Sequence, residues 1–355
     1  MPAKTGVLAP RNIHARAGGG SAPLVSVVLP VYNGAQYVVE SLESVLRQTY
    51  DPLEIVVVDD HSTDPTPDLL APYAAEGRIV LLQNDRNLGQ FGAVNTGIAA
   101  AHGELIAIQH ADDVQLPTLI AREVEALSEH PEAGAAFALD VFIDAQGRPR
   151  GRVELPSQFA GGGPFRYEEI LDGVLRFGNT FLRAPTFLAR RSILDEVGPF
   201  SEAWGLRGDI EMWLRIARLY PVVIVDEHLT SYRWGHENES KRYERLRVEP
   251  ELTFALLDEL LDAGDRQRAT TGALAAFEAR RAEDLLIVTA NRYVRGDRAA
   301  ARASLALASP RRLAASGHVR RPRLLVLWAV LALATRLPRI ELLAREFFRR
   351  WGQGR

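Results

Sequence analysis

The chain has 355 residues, 47% hydrophobic and 25% charged, ordinary globular values that exclude collagenous, disordered and polytopic membrane classes. It has no cysteine, which excludes disulfides, iron–sulfur clusters and thiolate zinc sites and leaves oxygen and imidazole as metal ligands, so a bound metal is expected to be a hard one. The net charge of −3 conceals an asymmetry: residues 301–355 hold twelve arginines against two acids, Glu341 and Glu346, a net +10 on a body carrying −13.

In chain order, residues 1–23 contain Gly18-Gly19-Gly20 and no apolar h-region. They are expected to be a flexible lead-in and not a signal peptide, so a cytoplasmic location is expected. Apolar runs at Leu24–Leu29, Leu53–Val58, Ile79–Leu82 and Leu105–Ile108 then alternate with stretches of helical period at Ala35–Gln48, Asn87–His102 and Pro117–His130. This alternation predicts a parallel sheet covered by crossover helices. Ala135–Ile143 followed by Asp144–Gly147 predicts a hairpin, and Pro156–Pro164 a loop. Helices are expected at Tyr167–Phe177, Arg191–Val197 and Asp209–Arg218, and strands at Val222–Val225 and Leu229–Trp234. From Val248 the chain turns Ala, Leu and Arg rich, predicting helices over Glu251–Ala263, Gly272–Arg295 and Arg298–Ala308, with a domain boundary near Glu239–Val248. Leu324–Ala334 is an apolar run flanked by arginines. As a helix it would reach about 16 Å, short of the roughly 30 Å hydrocarbon core. An interfacial helix on anionic lipid and a buried helix closing the tail both fit it.

In an open parallel sheet the carboxyl ends of the strands line the ligand crevice. Here the first strand ends in Pro30-Val31-Tyr32-Asn33-Gly34, the second in Asp59-Asp60-His61-Ser62-Thr63-Asp64, and the fourth in His110-Ala111-Asp112-Asp113. Carboxylates converging there without Lys or Arg repel one another unless a cation or hydrogen-bond donors offset them. One or two carboxylates plus phosphate oxygens suit Mg2+ or Mn2+, so the expected ligand is phosphorylated.

Five stretches, taken together and in order, resemble the inverting family 2 glycosyltransferases of the GT-A fold. They are Val25–Gly34 with Ser44–Thr49, Glu54–Asp64, Asn87–Gly89 through Asn95–Ile98, Gly103–Asp113 and Gly208–Arg215. The resemblance implies an α/β fold with a GT-A-type, mostly parallel nucleotide-binding sheet over residues 24–240, followed by a helical region over 241–355. Residues 24–115 would form the donor-binding half and 116–240 the acceptor half. It places Pro30, Val31 and Tyr32 beside a nucleotide base, with Asn33, Asp59 and Asp60 next to them. It adds Asn87, Gly89 and Asn95 as further donor contacts, Asp113 as metal ligand, and Asp112 as a second ligand or a sugar and ribose contact. Asp209, opening a helix, takes the place of the catalytic base. In the segment Tyr232-Arg233-Trp234-Gly235-His236, Arg233 or His236 would reach the diphosphate or the metal. Three positions depart from the family pattern: His110 stands where a first acid is common, Val94 where an Arg is usual, and Gly208 where a Glu precedes the base.

The implied donor is a nucleotide sugar, with a UDP-sugar favoured, the cofactor Mn2+ or Mg2+, and the acceptor a glycan or lipid-linked hydroxyl in cell-surface polysaccharide or glycolipid assembly. The basic tail would add peripheral membrane contact on the cytoplasmic face. Glu211 and Trp204 are acceptor candidates, and Trp213 is expected in the core. Two other functions compete. A nucleotidyltransferase also uses such a sheet, but no Gly-rich, Arg- or Lys-bearing triphosphate loop follows the first strand. A nucleotide-sugar or glycan-binding module without turnover is suggested by His110, Val94 and Gly208. Nucleic-acid binding is not expected, because the basic tail lacks aromatic interleaving and a recognised motif.

Overall fold

The computed structural model describes residues 22–234, 247–315 and 321–336. The lead-in up to residue 21, most of the boundary segment near Glu239–Val248, and the arginines beyond residue 336 lie outside the described residues. The chain divides into two compact units. The first holds residues up to Ile170 together with Asn179–His236, and the second holds Leu171–Gly178 together with the chain from Glu237 onward.

The first unit opens with β1 (Val25–Val31), α1 (Val38–Leu46), β2 (Leu53–Asp59), α2 (Thr66–Ala75), β3 (Val80–Gln83), α3 (Gly89–Ala100) and β4 (Leu105–Ile108). β1 pairs in parallel with both β2 and β4, and β2 with β3. These strands are rich in Val, Ile and Leu with little polar alternation because both faces are covered, Ser26 and Glu54 being buried and hydrogen-bonded to each other. On one face, Val25, Val27 and Leu29 pack with Leu42 and Val45 of α1 and Leu70 of α2. On the other, α3 lies so close that a Cβ added at Gly97 would meet Val28 Cγ1 at 2.4 Å. Glycine there lets helix and strand approach. α2 escapes a reading by helix signals because Pro67 and Pro72 look like breakers. Pro67 occupies the first turn, where its missing N–H costs nothing, and Pro72 is carried inside the helix.

The chain continues with β5 (Val114–Gln115), α4 (Leu119–Glu129), β6 (Ala135–Ile143), β7 (Pro149–Arg152), α5 (Tyr167–Phe177), β8 (Phe187–Arg190), α6 (Arg191–Val197), α7 (Gly208–Leu219) and β9 (Val222–Arg233). The nine-stranded sheet runs β3-β2-β1-β4-β8-β6-β9-β5, with β7 on β6. β8 joins β4 and β6 by antiparallel pairing, whereas β6 and β9 are parallel. The two strands expected at Val222–Val225 and Leu229–Trp234 are therefore one. The intervening Asp226-Glu227 resembles a turn in sequence but sits where the β6–β9 register shifts, a bulge that absorbs the polar residues. β5, two residues long, is too short to show an alternation, and β8 (Phe-Leu-Ala-Arg) directly precedes a helix and gains its strand identity from its pairing with β4 and β6.

The second unit is helical: α8 (Leu252–Asp262), α9 (Thr271–Val294), α10 (Arg298–Leu307), α11 (Pro310–Ala315) and α12 (Arg321–Ala334). Thr270 and Asp297 cap α9 and α10 by accepting the N–H of Ala273 and Ala300. Leu286, Tyr293, Leu305, Leu313, Leu324, Leu327 and Leu331 build its core. The apolar run of α12 serves two environments. Leu324, Leu327 and Leu331 are buried, while Val326 and Leu333 are 60% and 56% exposed. Among the described residues no helix is long and apolar enough to cross a membrane.

Candidate active site

The loops after β1 and β2 lock onto each other. Asn33, held at φ +50°, donates its N–H to Ser62 Oγ (2.9 Å) and accepts from the N–H groups of Thr63 (2.8 Å) and Asp64 (3.3 Å) through Oδ1. Gly34 N–H reaches Thr66 Oγ1 (2.9 Å), and Ala35 N–H reaches Asp64 Oδ2 (3.1 Å). Burial pushes the Asp64 carboxyl up, but hydrogen bonds from Thr66 and the Ala35 N–H outweigh it and hold the group below its ordinary value. Asp59 accepts from Ser62 N–H (3.2 Å) and Gln83 Nε2 (3.0 Å). Asp60, 2% exposed, accepts from Asn84 Nδ2 (2.7 Å) and the N–H groups of Leu88 and Gly89 (both 2.9 Å). It thereby anchors the first turn of α3, where the N–H groups lack helical partners.

This geometry reassigns several expected donor contacts. Pro30 and Val31 are enclosed in β1, and of that trio only Tyr32 presents its side chain, 46% exposed. Asn87 Oδ1 and Asp60 both receive the Gly89 N–H, which turns that group inward. Asn95 is not free for a diphosphate: its Nδ2 donates to Phe200 O and its Oδ1 accepts Phe200 N–H, both at 2.9 Å, so it braces α3 to the segment after α6. Val94 is fully buried. Asp59, Asp60, Asn33 and Asn95 thus shape the crevice more than they line it.

The loop after β4 carries the acidic pair. Gln109 Nε2 donates to Ser41 Oγ (2.9 Å) and Asp113 O (2.7 Å), and Ser41 Oγ donates to His110 O (2.7 Å), which fixes the loop on α1. Asp113 is fully buried, and its Oδ1 accepts Arg233 N–H at 2.7 Å. Its Oδ2 is buried and, among the described residues, has no partner other than His110 Nδ1 at 3.3 Å, the long edge of hydrogen bonding. Burial and the neighbouring Asp112 charge raise the Asp113 carboxyl to about 6, with His110 and the Arg233 N–H opposing. Burial lowers His110, but the Asp113 contact and the charges of Asp112 and Asp209 outweigh it and the imidazole pKa rises. Ligand atoms of His110, Asp112 and Asp113 lie within 4.8 Å of one another. A buried carboxylate oxygen without a firm donor, beside a second carboxylate and an imidazole, fits a divalent cation with positions left for phosphate oxygens. His236, an expected ligand, lies outside the described residues.

Arg233 does not reach into the crevice as expected. Its guanidinium, 2% exposed, donates to Asp112 O (2.9 Å) and Glu40 Oε2 (2.7 Å) and lies 4.4 Å from the centre of the Tyr37 ring. It clamps the acidic loop from behind.

Asp209 stands in the first turn of α7, 9% exposed. Its Oδ1 accepts Ile210 N–H (2.7 Å) and its Oδ2 accepts Asn179 Nδ2 (2.5 Å). Burial raises its pKa; Arg207, the Ile210 N–H, His110 and Asn179 oppose that rise. Gly208 has a steric cause: a Cβ there would meet Ser201 O at 2.6 Å and Phe91 Cδ2 at 2.8 Å, so no Glu can precede Asp209 without a shift. Glu211 is engaged with Arg215 (2.8 Å), Trp213 is buried in the core, and Trp204 is partly buried. Sequence reading missed Asn179, 30 positions before its partner, and Gln90, whose Nε2 lies 3.0 Å from His110 Nε2. No local motif marks either.

The chain matches the family described as Glycosyl transferase family 2 over residues 26–198. An uncharacterized glycosyltransferase of Nostoc is 33% identical over 213 residues, 59% of this chain and 64% of that protein, just under two thirds of its length. One of Haemophilus influenzae is 30% identical over 235 residues, 63% of this chain and 69% of that protein. The succinoglycan biosynthesis protein ExoO of Rhizobium meliloti is 42% identical over 118 residues, 33% of each chain. Among solved structures, S. aureus TarS 1-349 in complex with UDP-GlcNAc superposes with a TM-score of 0.58 at 19% identity, covering 88% of this chain and 91% of that one, which shows a shared GT-A fold.

Proposed function

The chain belongs to glycosyltransferase family 2, and from that membership we propose that it transfers a sugar from a nucleotide diphosphate donor, a UDP-sugar foremost, to a hydroxyl acceptor with inversion. The observation that carries this reading is the buried Asp113 Oδ2, clustered with ligand atoms of the half-buried Asp112 and His110, together with a separate buried carboxylate, Asp209, fixed by Asn179 at the start of α7. Inversion needs one group to take the acceptor proton and another to offset charge on the departing diphosphate, on opposite sides of the sugar.

Asp209 takes the acceptor proton, with Asn179 fixing its carboxylate. Asp113 and Asp112 hold Mn2+ or Mg2+, which when bound neutralises charge on the diphosphate oxygens. Tyr32, exposed at the end of β1, offers its ring to the base, and the hydrogen bonds of Asn33, Asp59 and Asp60 brace the loops around it. The name of the ExoO relative and the UDP-GlcNAc bound to TarS support a nucleotide-sugar donor and a role in assembling an extracellular glycan. A lipid-linked acceptor fits the exposed Val326, Leu333 and Arg323 of α12, which would bring the enzyme to a membrane surface.

The test is product analysis with candidate acceptors and a panel of nucleotide sugars, the new anomeric linkage being assigned by NMR. A linkage opposite in configuration to the donor, lost in Asp209→Asn, is expected. A retained configuration, or full transfer by Asp209→Asn, sinks the proposal. Release of pyrophosphate from nucleoside triphosphates in place of sugar transfer would favour the nucleotidyltransferase alternative.

A further inference from the structure

We propose that His110 is itself a ligand of the divalent cation, oriented by Gln90, and that its imidazole tilts the site toward Mn2+ and away from Mg2+. The inference rests on the metal-diphosphate reading of the acidic loop and concerns a residue that the family pattern would fill with an acid.

The His110 ring is held between two partners. Nδ1 faces Asp113 Oδ2 at 3.3 Å and Nε2 faces the side-chain amide of Gln90 at 3.0 Å, with the imidazole 20% exposed. The Asp113 oxygen it faces is buried and otherwise unpartnered, so Nδ1 and Oδ2 address the same small space, with an Asp112 oxygen inside the same 4.8 Å cluster.

An amide side chain can turn over and offer either its NH2 or its carbonyl. With the NH2 toward the ring, Gln90 donates to the Nε2 lone pair, and Nδ1–H points at Asp113. With the carbonyl toward the ring, Gln90 accepts Nε2–H, and the Nδ1 lone pair is released toward Asp112 and Asp113. The second arrangement is the one in which metal-binding imidazoles are held, the far N–H donated to a carbonyl or carboxylate that sets tautomer and orientation. A neutral ring makes this exchange by moving its proton from Nδ1 to Nε2, with no net change in protons. A protonated ring gives up its Nδ1 proton to solvent as the cation binds.

One nitrogen among the ligands changes the metal that fits. Mg2+ demands hard oxygens in near-ideal octahedral geometry, whereas imidazole suits later divalent ions and Mn2+ tolerates a mixed set. Asp at position 110 would give an all-oxygen site.

The experiment uses the full chain with Mn2+ or Mg2+ alone, followed by calorimetry and by pulsed electron paramagnetic resonance of the bound Mn2+, which detects a directly ligated 14N. The wild-type chain is expected to show imidazole coupling and to bind Mn2+ more tightly than Mg2+. Gln90→Ala keeps the coupling but weakens Mn2+ by about 10–100-fold, and His110→Ala loses the coupling and weakens Mn2+ at least as much. His110→Asp, the variant closest to the family pattern, narrows the preference for Mn2+ over Mg2+, and circular dichroism verifies that each variant folds. Mn2+ bound without 14N coupling, or bound equally by His110→Ala, overturns the role of His110 while leaving the metal reading intact. No Mn2+ binding by the wild type, with or without UDP, overturns both.

Discussion

Enclosure sets the proton affinity of Asp209, the group proposed as base. Burial raises its carboxyl, while Arg207, the Ile210 N–H, His110 and Asn179 restrain the rise. A base works only when deprotonated, so kcat/KM at saturating Mn2+ should fall as pH drops through this raised value. Asn179→Ala removes a hydrogen bond to the charged form and should move that acid limb to higher pH. An unmoved limb in Asn179→Ala would separate Asn179 from the base. A second buried acid, Glu123 on α4, is fully buried with no partner for either oxygen among the described residues, and burial alone raises its pKa well above 4.5. Its sign is opposite to that of a paired carboxylate. Between the unfolded and the raised folded value the native state binds the extra proton, so stability falls as pH rises through that window, by up to about 1.4 kcal/mol per pH unit. Glu123→Gln should flatten this slope and melt higher than wild type at pH 8. Equal melting temperatures at pH 8 would mean that Glu123 finds a partner. At this scale the sequence singles out Asp112, Asp113 and Asp209 as candidates, because each follows a strand or opens a helix. It misjudged Asn95 and Arg233, whose polar groups are consumed by Phe200 and by the acidic loop.

The strands and helices of the first unit were most legible where both faces are covered. β4 and α6 fall on the expected residues, and β1 and β2 differ by one or two at their ends. Tertiary context decided the rest: β8 is defined by two antiparallel neighbours, and β9 runs through Asp226-Glu227 on a bulge. Two glycines make these contacts testable. Gly97→Ala would press a methyl to 2.4 Å from Val28 Cγ1 and 3.1 Å from Val58 Cγ2. The expected cost is about 1–3 kcal/mol by urea denaturation, and a change under about 0.5 kcal/mol would contradict the packing of α3 on the sheet. Gly208→Glu restores the family's acidic pair on paper, yet its Cβ collides with Ser201 O and Phe91. It should lower both thermal stability and transfer, and a variant as active as wild type would show that the helix start yields.

Across the whole molecule, order and spacing of motifs carried the family and the sheet, because those features are local runs separated by short connections. The helical unit was visible as composition but not as function. α12 keeps Leu324, Leu327 and Leu331 inside while Val326 and Leu333 face outward, and the described chain from Arg298 to Arg336 contains no carboxylate side chain. Such a face favours anionic lipid. The full chain should float with phosphatidylglycerol vesicles and less with phosphatidylcholine, and Val326→Asp with Leu333→Asp should reduce flotation. Unchanged flotation in that double variant would dismiss α12 as the contact. The central claim, a metal-dependent nucleotide-sugar site at Asp112-Asp113, is met most directly by calorimetric titration of UDP-, GDP- and dTDP-sugars into the full chain, with Mn2+ and with EDTA. At least one donor, a UDP-sugar foremost, should bind with Mn2+, and the binding should be lost with EDTA and in Asp113→Ala. Binding of none of them under either condition, or undiminished binding by Asp113→Ala, would contradict it.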